Sequence, residues 1–197
     1  MSKGTGPRLV LASSSPYRRQ LLERLRLDFN THSPEIDESA RPGEAAPALA
    51  LRLAAAKATA VAAQFPDALV IGSDQVAMAG ERRLGKPGDR AAACAQLRAM
   101  RGQAVTFHTG LCLLNTALGR QQTALVPVTV TLRPLSDAEI DRYVDADQPF
   151  DCAGSARIEA LGIALVEKIS GDDPNALIGL PLIELCRMLR NEGIALP

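Results

Sequence analysis

Arg8-Leu9-Val10-Leu11-Ala12 is a short apolar run that breaks off at Ser13-Ser14-Ser15-Pro16. It reads as a short buried strand, and strands buried so completely belong to sheets covered by helices. A helix follows at once. Ser15 is a good N-cap, Pro16 a good first helical residue, and Leu21, Leu22 and Leu25 share one face. Ala68-Leu69-Val70-Ile71-Gly72, bounded by turn residues, repeats the pattern as a central strand.

The remaining elements alternate between strand and helix. Asp28 to Ser33 reads as a second strand, and Pro34 to Ala46, polar and acidic, as a loop. A helix then runs to about Ala63 with Leu49, Leu53, Ala56 and Ala60 at helical spacing. Gly80-Glu81 reads as a hairpin turn, and Asp89 caps a helix to about Met100. Val105 to Asn115 and Gln121 to Leu132 read as long strands around Ala117-Leu118-Gly119, with Thr129, Thr131 and Arg133 on a solvated face. Ser136 and Glu139 form a capping box for a helix to about Val144. Gly162 to Ile169 reads as another strand. A last helix starts at Pro181, carries Leu182, Leu185, Cys186 and Leu189, and stops at Gly193. The order gives an α/β or α+β chain whose hairpin interrupts simple βαβ alternation.

The 197 residues fit one generous domain or two small lobes sharing a core, with no linker between them. Lys plus Arg and Asp plus Glu both number 22, so the net charge is zero. Duplex nucleic-acid binding, which draws on a basic excess, is disfavoured, whereas a local basic pocket for a small anion remains open. Cys94, Cys112, Cys152 and Cys186 are far apart with no C-x-x-C pair, which argues against a zinc site and a disulfide framework. They read as small buried hydrophobes. No run of about 18 apolar residues could span a membrane, and the leading residues Met1 to Pro7 hold no stretch of signal-peptide length. The expectation is a cytoplasmic protein.

The strongest chemical signal is Leu11-Ala12-Ser13-Ser14-Ser15-Pro16-Tyr17-Arg18-Arg19. Two arginines in a first helical turn face a partial positive charge, an arrangement that makes sense where an anion sits. Alone, the string reads equally well as an ordinary cap with solvated arginines. Asp74, in Gly72-Ser73-Asp74-Gln75, emerges where the central strand ends, a place suited to a metal ligand or a general base, although on this feature alone an Asp capping a turn is the favoured reading. Lys57 borders the apolar face of its helix, where it reaches a cleft or snorkels. Lys86 in Gly85-Lys86-Pro87 and the pair Asp37-Glu38 lie in turns and say little by themselves. Strings such as Gly171-Asp172-Asp173 and Gly179-Leu180-Pro181 read as turns. No P-loop and no G-x-S-x-G elbow is present.

Together these segments resemble the Maf-like nucleotide pyrophosphatases. The matching runs are L-A-S-S-S-P-Y-R-R at 11–19, P-E-I-D-E at 34–38, R-L-A-A-A-K-A at 52–58, I-G-S-D-Q at 71–75, G-K-P at 85–87, A-G-S at 153–155 and G-L-P at 179–181. The resemblance implies a single Maf-like domain over residues 1–197, with a Maf/ITPase-like mixed sheet, helices and two lobes around a deep cleft. It also implies a homodimer, a nucleoside triphosphate cleaved to monophosphate and diphosphate, and a divalent cation, Mg²⁺ or Mn²⁺. By the same resemblance Asp74 is the proton acceptor, and Lys57 and Lys86 neutralise the phosphate chain. Ser13, Ser15, Arg18 and Arg19 cradle the phosphates, and Asp37, Glu38 and Asp74 hold the metal.

The pyrimidine-selective branch has S-P-R-R, A-D-T and A-Y-G-I-Q at the corresponding places. This chain has Tyr17, Gln75 and Ser155-Ala156-Arg157-Ile158-Glu159 there, and so is similar to the YceF-type branch that acts on 7-methyl-GTP. Methylated guanine carries a delocalised positive charge, which suits an aromatic face such as Tyr17 and a carboxylate such as Glu159. Gln75 offers a donor and an acceptor to the purine edge. The rival readings are a pyrophosphatase for dTTP, UTP or modified pyrimidine nucleotides, and a non-catalytic nucleotide-binding regulator of septum formation. The intact set of Lys57, Asp74 and Lys86 favours an enzyme.

Overall fold

The computed structural model describes residues 7–197. The reading of the leader as signal-free rests almost wholly on residues 1–6, which lie outside the described residues. In chain order the elements are β1 (Arg8–Ala12), α1 (Pro16–Glu23), β2 (Phe29–His32), α2 (Ala46–Ala62), β3 (Ala68–Ala79), β4 (Arg82–Leu84), α3 (Arg90–Met100), β5 (Ala104–Asn115), β6 (Arg120–Leu132), α4 (Asp137–Asp147), β7 (Val166–Ser170), α5 (Pro174–Ile178) and α6 (Leu182–Asn191). The strands form a mixed sheet in the order β2-β1-β3-β5-β6-β7, with β4 paired to β3. This is the α/β class expected from the sequence. The chain divides into two units. The first holds the residues up to Gln75, Thr109–Val126 and Asp173–Pro197, and the second Val76–His108 and Pro127–Asp172.

In the first unit β1 lies parallel to both neighbours, in register with β2 from Leu9↔Phe29 to Ala12↔His32 and with β3 from Arg8↔Ala68 to Leu11↔Ile71. Successive side chains point to opposite faces, and both faces are covered. Leu9, Leu11, Leu69 and Ile71 pack with Leu21 and Leu22 of α1 and Leu182, Leu185 and Leu189 of α6. Val10, Ala12, Ala68 and Val70 pack with Ala54, Ala58 and Val61 of α2. That two-sided burial is why β1 is apolar without alternation, each large side chain contributing about 1.5–3 kcal/mol.

The small residues of α2 let its backbone come unusually close to the sheet. A Cβ on Gly72 would lie 2.1 Å from the Ala54 carbonyl oxygen, and one on Gly110 2.3 Å from that of Ala50. Ala50, Ala54 and Ala58 form the buried stripe that meets these glycines. Gly72→Ala therefore forces α2 off the strand. The variant is expected to lose about 1–3 kcal/mol, the usual cost of overpacking, read as a lower urea midpoint at unchanged m. An unchanged midpoint would show that the helix yields freely.

In the second unit Gly80 (φ +56°) turns β3 into β4, and Ala77↔Leu84 and Ala79↔Arg82 pair antiparallel, as the Gly80-Glu81 signal predicts. Asp89 caps α3 by accepting from Ala92 N at 2.8 Å, and both halves of the Ser136/Glu139 capping box are made. All four cysteines are free, with Cys94 and Cys112 buried and Cys152 and Cys186 only partly so.

The structure corrects four readings. The central strand does not end before Asp74, because β3 runs on to Ala79. What stops is its parallel ladder with β1, whose last pair is Leu11↔Ile71. The strand expected from Gly162 starts only at Val166, after a 3₁₀ turn over Leu161–Leu165. There the chain folds so tightly on Arg157 that a Cβ on Gly162 would sit 2.5 Å from the Arg157 carbonyl oxygen. The turn read at Gly171-Asp172-Asp173 leads into α5, which the sequence reading lacks. Asp173 is its N-cap, buried, and also accepts from Ile183 N of α6 at 2.7 Å. Pro181 caps α6 and is not its first residue.

Candidate active site

The two faces of β3 carry different chemistry. Gly72 faces α2, so Asp74, two residues on, reaches the same side, and Ser73 and Gln75 reach the other. The close approach of α2 brings Lys57 to Asp74, with Nζ donating to Oδ1 at 2.6 Å. The same ammonium lies 2.7 Å from Glu38 Oε1. Lys57 and Asp74 are buried, and Glu38 is exposed. Burial pushes the Asp74 carboxyl above its ordinary range, while Lys57 and Arg18 pull it back.

Glu38 is delivered by a loop that folds around Arg52, one helical turn or so before Lys57. Arg52 Nε and Nη2 grip Glu44 at 2.6 and 2.8 Å, and Nη2 also donates to the Ser39 carbonyl at 2.9 Å. This fork holds the Glu44 carboxyl down at about 2. Asp37 is exposed, and its pKa is lowered by the Ser39 side chain and by Ser39 N, from which it accepts at 2.9 Å. The loop expected over Pro34 to Ala46 is thus ordered by one arginine of the R-L-A-A-A-K-A run.

The S-S-S-P segment behaves as its residues predict. Ser15 caps α1 by accepting from Arg18 N at 3.3 Å, and Ser13 Oγ accepts from Ser15 N at 3.1 Å. No acid occupies the first turn of α1. The two arginines part ways. Arg18 turns inward, donating Nε to the Gly179 carbonyl at 2.9 Å, and burial lowers its pKa against the opposing charges of Asp74 and Glu38. Arg19 is exposed and pairs with Glu23 at 3.0 Å. Tyr17 lies half-exposed on the same turn.

On the other face of β3, Gln75 Nε2 donates to the carbonyls of Ala176 and Leu177 at 2.8 and 3.0 Å and to Thr109 Oγ1 at 3.0 Å. Thr109 Oγ1 in turn donates to Ala176 O at 2.8 Å, and Ser73 Oγ reaches the carbonyls of Gly110 and Gly179, both at 2.8 Å. Ser73 and Thr109 are fully buried. Sequence reasoning missed Ser73, Thr109 and Arg52. Ser73 was within reach, since alternation along I-G-S-D-Q puts it opposite Asp74.

The structure therefore gathers Arg18, Glu38, Lys57 and Asp74 in the first unit, two cations against two carboxylates. Lys86 and Glu159 belong to the second unit. Lys86 is exposed between β4 and α3. Glu159 follows Ser155 (φ +55°), whose Oγ bonds Gln96 Oε1 at 2.6 Å, and Arg157, whose N donates to Tyr143 Oη at 2.9 Å. Partial desolvation raises the Glu159 carboxyl, with Arg157 opposing.

Among the described residues no three or more His, Cys, Asp or Glu converge as a closed metal cage. Mg²⁺ commonly uses one or two carboxylates and completes its shell with water and phosphate oxygens. Glu38 and Asp74 are two hard oxygen donors brought to one nitrogen, and this pair fits such an open site.

A helix N-terminus free of acids beside buried, paired Lys and Asp is an arrangement for handling phosphate esters or anhydrides. Residues 8–192 match the family model described as Maf-like protein, and the chain belongs to that family. It is 57% identical over 190 residues to the 7-methyl-GTP pyrophosphatase of Thiobacillus denitrificans, covering 96% of this chain and 94% of that one. Identity is 56% over 191 residues to the 7-methyl-GTP pyrophosphatase of Alcanivorax borkumensis, covering 97% of each. It is 54% over 193 residues to that of Cupriavidus metallidurans, covering 98% and 97%.

Proposed function

We propose that this protein is a nucleoside triphosphate pyrophosphatase that hydrolyses 7-methyl-GTP to 7-methyl-GMP and diphosphate, removing a non-canonical nucleotide. The observation that carries the reading is the buried Lys57–Asp74 pair beside Arg18, in a chain similar over nearly its whole length to proteins so named.

In this reading water attacks the α-phosphorus, a new P–O bond forms, and the bond from that phosphorus to the bridging oxygen breaks. The bridging oxygen leaves with the β-phosphate as diphosphate. Asp74 Oδ1 is held by Lys57, so Oδ2 takes the proton of the attacking water. Arg18 and the α1 N-terminus bind the phosphate oxygens with charged and main-chain donors, and Ser13 and Ser15 offer their hydroxyl protons. We assign Arg19 and Lys86 to the phosphate chain on the family resemblance. Lys57 holds positive charge beside the breaking bond, where preorganised electrostatics act most strongly. Glu38 and Asp74, with Asp37 adjacent, would hold Mg²⁺ or Mn²⁺, which supplies charge neutralisation at the phosphates.

Base selection is assigned to Tyr17, Gln75 and Glu159, which suit a cationic purine for the reasons of charge and ring contact given above. Gln75 has its Nε2 engaged on α5, so Oε1 is the atom left to read the base. No helix among the described residues is long and apolar enough to cross a membrane. A cytoplasmic homodimer belongs to the same proposal.

The test is a competition among 7-methyl-GTP, GTP, dTTP and UTP with Mg²⁺ or Mn²⁺, scoring diphosphate release. The methylated nucleotide is expected to lead GTP by about tenfold or more in kcat/KM, the worth of one charge-assisted contact. Glu159→Gln should erode that lead while leaving GTP turnover nearly unchanged. Equal use of the two guanine nucleotides would remove the base assignment, and dominance of dTTP or UTP would move the enzyme to the pyrimidine branch.

A further inference from the structure

Two donors, 161 and 106 residues away along the chain, meet at one carbonyl. The oxygen of Gly179 accepts from Arg18 Nε at 2.9 Å and from Ser73 Oγ at 2.8 Å. Ser73 is wholly buried, and its single hydroxyl proton is shared between Gly179 O and Gly110 O, also at 2.8 Å. The short helix that leads to Gly179 is itself tied down, its carbonyls at Ala176 and Leu177 taken by Gln75 and Thr109. Gly179 closes that helix in the left-handed region, at φ +114°. A Cβ there would lie 3.2 Å from Arg18 Nε and 3.6 Å from Nη2, so only glycine gives the guanidinium its place without both strain and crowding.

We propose that Gly179 and Ser73 are positioning residues for Arg18, and that the G-L-P turn is the clamp that aims its guanidinium at the phosphate chain. A guanidinium has five N–H donors in a rigid plane. Fixing Nε to a main-chain acceptor sets the orientation of that plane and leaves the four Nη protons for an anion. A free arginine side chain would lose rotamer entropy on each binding event, and the clamp removes that cost in advance. β3 then serves the reaction from both faces, Asp74 on one and Ser73, through Gly179 and Arg18, on the other. The inference rests on the reading of Arg18 as a phosphate ligand made under the proposed function.

The test is a pair of double-mutant cycles, Gly179→Ala and Ser73→Ala each combined with Arg18→Ala. Four quantities are read: the Kd for inorganic diphosphate by calorimetry, kcat and KM for 7-methyl-GTP, and the melting temperature. Gly179→Ala is expected to weaken diphosphate binding and raise KM by about tenfold, the order of one charged hydrogen bond lost, with a smaller change in kcat. In the Arg18→Ala background the same change should move Kd less than about twofold, because contacts acting through one group do not add. Ser73→Ala, which introduces no strain, should show the same non-additivity with a smaller effect. An equal factor in both backgrounds, or no effect of either variant on Kd, overturns the inference while leaving the pyrophosphatase standing. If Arg18→Ala alone leaves Kd and KM unchanged, the phosphate role of Arg18 fails and the clamp fails with it.

Discussion

Asp74→Asn is expected to lose about 10²–10⁴-fold in kcat, the range for removal of a general base, while melting at or above the wild-type temperature. The two outcomes have one cause. Burial raises the Asp74 carboxyl above its ordinary range even against Lys57 and Arg18, so its ionised form is less favourable in the folded chain than in the unfolded one. The folded state therefore holds this proton more tightly, and stability falls as pH rises from the unfolded pKa through the folded one. Above that window the wild type bears the whole penalty. Asparagine keeps the shape, carries no charge and removes the slope, and Lys57 retains Glu38 at 2.7 Å as a counter-ion. Diphosphate release and thermal melts across the acid range measure both effects. Turnover within a few-fold of wild type would take Asp74 out of the chemistry, and a clear drop in melting temperature would make it a structural residue.

The sequence was legible where local rules and tertiary packing agree. The unbroken apolar run of β1, the Ser15-Pro16 start of α1 and the Ser136/Glu139 box each satisfy their own element's backbone, and each stands where its residues predict. Local rules failed where a distant segment decides the conformation. Gly162 turns because it lies on Arg157, and α5 exists because Asp173, Gln75 and Thr109 hold its ends. β3 outruns its expected end because a different neighbour, β4, takes over beyond the parallel ladder. The candidate site divides in the same way. Ser15 as a cap is a local fact, but nothing in the string S-P-Y-R-R says that Arg18 turns inward while Arg19 pairs with Glu23. That choice is made 161 residues away, at the carbonyl of Gly179. Likewise the role of Arg52 lies in Glu44 and Ser39, which helical periodicity cannot see.

Lys57→Met probes the other half of the buried pair, and its expected signature is opposite in sign to that of Asp74→Asn. Methionine fills the stem's volume but strips Asp74 of the ammonium 2.6 Å away and leaves Glu38 nearby as an uncompensated like charge. Breaking a buried pair from one side costs about 3–5 kcal/mol, because the remaining charge is stranded. Asp74 has an escape that a permanent charge lacks, since it can take up a proton. Its folded pKa rises further above the unfolded one, so the variant is most destabilised where Asp74 must ionise and recovers toward wild type as pH falls. Catalysis runs the other way. The acid limb of the kcat/KM profile should move to higher pH, because the proton acceptor stays occupied longer, and the plateau should fall by about 10²-fold or more as charge stabilisation at the phosphates is lost. Chemical melts and pH–rate profiles on the same preparation separate these effects. A uniform loss of stability at every pH with an unmoved acid limb would mean that Lys57 packs against Asp74 without governing its proton.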